Sequence, residues 1–335
     1  MVATRSQPSR GPEMATGTEP GLQSSLRAPT LPAGPSGPDA RPCAALPAGP
    51  SGPDAIRLGP PAVLGQAAAE NFPVAMRLLP AHVRRHLMAV YGFARLTDDI
   101  GDEAEGDRLG LLAWLDDQLE RAAAGQADHP LLQEVGASIR ELGLPLQPFR
   151  DLIEANRQDQ LVRRYATFDD LAAYCMLSAA PVGRLVLTVL GLATDSRVAL
   201  SDDVCVGLQL VEHLQDVGED AARDRVYLPQ EDLRRLGCDD RSLLDEHASP
   251  ELRRLVAFEA GRAHRLLRSG LVLARTLPPR ARVAVCGFTA GGMAAIDAME
   301  RAGFDVLGQA CRPRPRRFAW RLASALGASL GLAAP

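Results

Sequence analysis

From Pro61 to about Phe304, apolar residues recur at three- and four-residue intervals, and β-branched runs alternating with period two are nearly absent. Such spacing turns one face of each segment toward a core once per helical turn. It predicts an all-α chain whose helices form a single domain, with a core large enough to enclose an apolar cavity. The first helix follows Pro80 and runs through HVRRHLMAVYGFARLTDDIGDE. Further helices are predicted at Leu109–Ala124, Leu131–Leu142, Phe149–Tyr165, Leu171–Leu192, Ser201–Arg223, Pro250–Leu277 and Arg280–Ala302. Pro181 and Gly183 predict a kink within Leu171–Leu192. Ser201-Asp202-Asp203 reads as the N-cap of Ser201–Arg223.

The ends of the chain differ from this middle. Residues 1–60 are rich in Pro, Gly, Ser and Ala and repeat LPAGPSGPDA at 31–40 and 46–55. A tandem copy this short cannot bury a face, so the segment is expected to be a disordered extension without a catalytic role. The other reading is that it lies upstream of the true start. No apolar stretch of secretory type follows the N-terminal charges. Residues 61–310 form the expected helical domain, and 311–335 a basic and apolar tail. From Arg301 onward six arginines (301, 312, 314, 316, 317, 321) face one acid, Asp305. FAWRLASALGASLGLAAP then reads either as a terminal helix docked on its own domain or as a helix lying on an anionic membrane surface.

Composition removes whole classes. With 37 basic and 41 acidic residues the net charge is -4, which excludes a nucleic-acid binder driven by bulk charge. The six cysteines (43, 175, 205, 238, 286, 311) have neither a C-x-x-C pair nor a regular spacing, so reduced thiols in a cytoplasmic protein are expected. His82 and His86 have zinc-ligand spacing, but Arg84 and Arg85 lie between them, and metal binding there is not expected.

Two acidic stripes carry the chemistry. Asp98 and Asp102 are four apart, as are Asp99 and Glu103, at the end of an apolar segment. Glu212, Asp216 and Asp220, with Glu219 beside them, line one face of another apolar helix. Unpaired acids on apolar helices are costly to bury, and a divalent cation would relieve them. Mg²⁺ takes oxygen ligands and bridges carboxylates to phosphate. Metal-held diphosphate leaving from an allylic or cyclopropylcarbinyl carbon would account for acids rimming an apolar bundle.

YGFARLTDDIGDE (91–103) and LQLVEHLQDVGEDAARDRVYLP (208–229) resemble the two motifs of the squalene/phytoene synthase family, with YCMLSAAPVGRLVL (174–187) between them where that family has a kinked cavity helix. The resemblance implies an isoprenoid-synthase-type bundle around an apolar cavity. ENFPVAMRLLP (70–80) and SAAPVGRL (178–185) look most like the bacterial hydroxysqualene synthase branch. That branch takes presqualene diphosphate, ionises it and quenches the rearranged cation with water, on the way to squalene and hopanoids. The implied metal ligands are Asp98, Asp102, Glu212, Asp216 and Asp220. Tyr91, Arg95, Arg225 and Tyr227 match diphosphate-contacting positions, Gln209 and Asp159 match the cavity rim, and Phe72 matches a substrate-facing aromatic. Mg²⁺ is the implied cofactor, with no NAD(P)H. Sister pathway enzymes and peripheral membrane contact through the tail are the implied partners.

Three departures separate the chain from the family pattern. Glu212 stands where Asn is usual, and Glu70 where a basic residue is common. Leu177 replaces the Tyr of squalene synthases, which argues against the NADPH-reducing reaction. The alternatives are a squalene or phytoene synthase condensing two prenyl diphosphates, and an inactive helical scaffold subunit of a prenyl pathway.

Overall fold

Helix α1 (Ala81–Asp102) begins directly after Pro80, whose fixed φ of -57° turns the chain into the first turn. The computed structural model describes residues 79–308 and 311–331, so the 1–60 extension and Phe72 lie outside the described residues. The chain divides after Pro47, and all described residues belong to the second unit. Among them there is no strand, only an isolated bridge between Arg164 and Val226.

After α1 come α2 (Arg108–Ala123), α3 (Pro130–Leu142) and α4 (Gln147–Leu161). These four pack together around a core with Phe93 and Phe149 edge-to-face at 4.9 Å. Helix α5 (Phe168–Ser178) starts at a capping box in which Thr167 and Asp170 satisfy each other's backbone N–H groups. Helix α6 (Ala180–Val189) follows at once. The expected kink is there: Ala179 leaves helical geometry (φ -118°, ψ -45°), and Pro181 brings no N–H to continue the ladder.

Helix α7 (Asp195–Gln215) runs through the second half and packs on α5, α6 and α10. Its start corrects the predicted one. Thr194, not Ser201, is the N-cap, accepting from the Arg197 N–H, and Ser201 is buried one and a half turns inside. Small residues explain this: a Cβ on Gly183 would meet Ser201 Oγ and Cys205 Sγ, so the polar trio at 201–203 sits at a close helix crossing instead of a terminus. The predicted continuation to Arg223 is also interrupted. Asp216 (φ -104°, ψ 13°) ends α7, and a short α8 (Val217–Ala222) follows.

The remaining elements are α9 (Gln230–Leu236), a 3₁₀ turn (Asp240–Leu244), α10 (Pro250–Leu267), α11 (Ser269–Arg275), α12 (Pro279–Arg301) and α13 (Pro315–Ser329). The single helix expected over Pro250–Leu277 breaks at Arg268, next to Gly270, which crosses Thr289 at a distance no Cβ would allow. The helix expected to reach Tyr165 stops at Leu161, and the chain then extends so that Arg163 O accepts from the Val226 N–H. That extended contact anchors the RVYLP loop.

Of the two glycines at 291 and 292, Gly292 lets Leu208 and Leu267 approach, while Gly291 faces open space. An apolar cavity of about 160 Å³ lies between α6, α7, α11 and α12, lined by Val186, Val204, Leu208, Leu273 and Val285 among others. Leu208 is one turn from Glu212, so the cavity begins about 6 Å along α7 from the second acidic stripe. Cys175, Cys205, Cys238 and Cys286 are free thiols. His86 is buried against Ser138 Oγ at 2.9 Å, while His82 is exposed.

Candidate active site

The end of α1 splits its four acids into two stripes. Arg95 holds Asp99 at 2.9 Å and Glu103 at 3.5 Å on one side. Asp98 and Asp102 lie on the other side, facing α4 and the RVYLP loop. Acids at a helix C-terminus oppose the helix dipole. Arg108 offsets this by donating to the carbonyls of Gly101, Asp102 and Ala104 at 2.8–3.0 Å, which also caps the helix.

Asn156 on α4 donates to Asp98 Oδ1 at 3.2 Å. This approach depends on Gly101: a Cβ there would overlap the Asn156 carboxamide, and Gln160 donates to the Gly101 carbonyl at 3.0 Å. Asp98 keeps solvent-accessible surface although protein surrounds it, as a group on the wall of a recess does. Burial raises its carboxyl to about 6 against the pull of the Asn156 hydrogen bond.

The second stripe keeps its spacing across the break in α7. The Asp216 N–H donates to Glu212 O at 3.0 Å and the Asp220 N–H to Asp216 O at 2.8 Å, so the three carboxylates still follow one another turn by turn. Burial, reinforced by Asp216, raises Asp220 to about 7. Burial and then Glu219 raise Asp216 as well. Glu212 is exposed at the rim.

Arg225 joins the stripes. Its Nη1 lies 2.6 Å from Asp102 Oδ1, and its charge acts on both Asp220 and Asp159. Below it, Tyr174 and Tyr227 donate to the two oxygens of Asp159 at 2.6 and 2.8 Å. Burial pushes both phenols up, so they remain protonated donors. Burial also raises Asp159 itself. Asp102, Asp159 and Asp220 are therefore linked through Arg225, with Asp98 beside Asp102, Asp216 beside Asp220 and Tyr227 on Asp159, while Gln209 and Glu212 lie on α7. Arg95 is turned to Asp99 and Glu103, and Tyr91 is half-buried on the Asp98 side of α1.

Sequence reasoning missed two members. Asn156 carries no motif of its own; its only signal is a position one turn before Gln160 on the helix that also bears Asp159. His213 stacks on Tyr227 with ring centroids 3.8 Å apart and planes 13° apart, and it faces Gln209 and Asp220. Burial lowers it to about 3, so it is a neutral plate between the second stripe and the loop. Its signal was its place between Glu212 and Asp216.

Carboxylate oxygens in excess of the one buried arginine are the donor set a hard divalent cation needs. No three of these acids converge closely enough to chelate an ion unaided, among the described residues. That fits a Mg²⁺-like ion held by one or two carboxylates and completed by phosphate oxygens.

The fold is an all-α bundle of isoprenoid-synthase type, with two acidic stripes linked through Arg225. The squalene/phytoene synthase family model matches residues 66–327, and the chain belongs to that family. Members of the family are prenyl diphosphate-using enzymes, and the family uses a divalent metal to ionise diphosphate. The chain is 37% identical to a hydroxysqualene synthase of Rhodopseudomonas palustris, over 61% of this chain and 70% of that protein. It is 34% identical to the plastid phytoene synthase 3 of Zea mays, over 60% of this chain and only 49% of the maize protein. The crystal structure of squalene synthase HpnC from Alicyclobacillus acidocaldarius superposes with a TM-score of 0.69 at 38% identity, covering 73% of this chain and 94% of that one.

Proposed function

We propose that this protein is a Mg²⁺-dependent hydroxysqualene synthase, converting presqualene diphosphate and water to hydroxysqualene and diphosphate, on the route to squalene and hopanoids. The observation that carries the reading is the convergence of two acidic stripes on Arg225, with an apolar cavity that reaches Leu208, one turn along α7 from Glu212. Its narrowing to hydroxysqualene rests on Leu177 in place of a tyrosine and on the hydroxysqualene synthase relatives.

Asp98, Asp102, Glu212, Asp216 and Asp220 would supply the carboxylates, one or two to each metal ion, and the metal would neutralise charge developing on the leaving diphosphate. Arg225 and Tyr91 would bind the diphosphate, and Arg95 would do so only by giving up Asp99. Tyr227 and Tyr174 keep Asp159 and the RVYLP loop in place. Val186, Val204, Leu208 and Leu273 would take the prenyl chains and keep bulk water from the cation. Water then adds to the carbon and loses its proton, which balances the reaction. The localisation that goes with this reading is the cytoplasm, with the C-terminal helix at the inner face of the membrane.

The second reading, condensation of two prenyl diphosphates, draws on the phytoene synthase relatives, at comparable identity. Incubation with Mg²⁺ in ¹⁸O water separates them. Presqualene diphosphate is expected to yield ¹⁸O-labelled alcohol. Consumption of farnesyl or geranylgeranyl diphosphate alone, with no labelled alcohol, supports condensation. No turnover of any of these substrates supports the scaffold, the reading that Glu212 keeps open.

A further inference from the structure

Helix α13 is docked on its own domain, and what it leaves outward is not an ordinary surface. Its inward side buries Ala325 against Ala274 and Cys286, with Leu322 and Leu326 alongside. Arg321 pairs through two nitrogens with Asp297 at 2.5 and 3.0 Å, and Arg275 donates to Ala328 O at 3.2 Å. The helix is therefore fixed in rotation.

Its outward side follows one stripe at helical spacing: Arg316, Trp320, Ala323, Gly327 and, just past the end, Leu330. Trp320 is 54% and Leu330 56% exposed, and the neighbouring α11 adds Val272 at 49%. These are three of the seven exposed large apolar side chains among the described residues. Arg312, Arg314, Arg316 and Arg317 are all exposed at the N-terminal end, and no acid occurs from Arg312 to Gly331. This local positive charge runs against a chain of net charge -4. At 15 residues the helix is about 22 Å long, too short to cross a bilayer.

We propose that the outward face of α13, Arg316 with Trp320 and Leu330 under flanking Arg312, Arg314 and Arg317, seats the protein flat on an anionic lipid bilayer. The arginines meet lipid phosphates while the indole and leucine enter the headgroup boundary. The face also has a defined relation to the cavity. Val285 lines the cavity and belongs to the cluster packed under α13. Val285 on α12 thus lies between α13 and the apolar interior, which would bring a water-insoluble product close to the bilayer. Only this last link rests on the proposed reaction.

The test uses the full chain and vesicles of phosphatidylcholine, with or without phosphatidylglycerol, and needs no substrate. The chain has two tryptophans, so W114F leaves Trp320 as the sole reporter. Sedimentation with anionic vesicles only, and a blue shift of Trp320 emission on binding, are expected. R316Q/R317Q should weaken binding about 25-fold with an unchanged far-UV spectrum. Equal binding to neutral vesicles, unshifted emission, or undiminished binding by R316Q/R317Q would overturn the proposal. So would a dimer in sedimentation velocity that W320A dissociates, which would make the face a contact between copies.

Discussion

The first acidic stripe rides an unbroken helix end, and the second crosses a helix break. Asp98 and Asp102 each meet a partner from another element, Asn156 and Arg225, and the helix end beneath them is capped by Arg108. Asp216 instead ends α7, and Asp220 lies 3.9 Å from His213, under a field from Asp216. The same four-residue spacing thus yields a braced stripe and a strained one. A braced carboxylate stays in place whether or not cation is bound. A carboxylate raised to about 7 gains most from a cation, so the second stripe is where metal binding should be felt most strongly.

The comparison breaks most directly on activity. D98N and D216N should each lower kcat about a thousandfold or more with prenyl diphosphate substrate. Calorimetric titration with Mg²⁺ and inorganic diphosphate should show the larger loss of affinity in D216N; the reverse order would mean that the braced stripe dominates. The next effect is structural. G101A forces Asn156 away from α1 and should cost about 1–3 kcal/mol, read as a melting-point drop of several degrees, with the α7 side of the recess unaffected. Paired with N156A, the Gly101→Ala change should cost much less; an equal cost in both backgrounds would remove Asn156 as the reason for the glycine.

The smallest effect is a pH dependence. Asp98 and Asp220 have folded values above that of a free carboxyl, so these two groups hold more protons in the folded chain between about pH 4 and 7, whereas His213, lowered to about 3, acts in the opposite direction. The stability that Asp98 and Asp220 contribute in chelator, read as the difference between the natural chain and D98N/D220N, should therefore fall as pH rises through that window. Mg²⁺, which favours the ionised forms, should flatten the fall. A difference in melting point that grows in favour of the natural chain from pH 4 to 7 would contradict the raised values.

Much of this was readable in advance, for a local reason. Helix periodicity, the break before Pro181 and the i,i+4 acids all depend on residues within two turns of one another. The misplaced boundaries had a different origin. Ser201-Asp202-Asp203 looks like a cap, but Arg184 claims Asp202 through two hydrogen bonds and Gly183 seats Ser201, both from another helix. The break at Arg268 likewise answers to Thr289, which crosses Gly270 from another helix. Asn156 and His213 escaped notice because neither belongs to an acidic pattern; each matters through what lies across from it.

Sequence by itself determined the helices, the two acidic stripes and their family, because periodicity and spacing are properties of a single segment. Tertiary structure alone decided that Arg225 bridges the stripes and that α13 shows Trp320 outward. Those outcomes depend on which charges and surfaces are brought within a few ångströms, and chain order does not encode such distances locally.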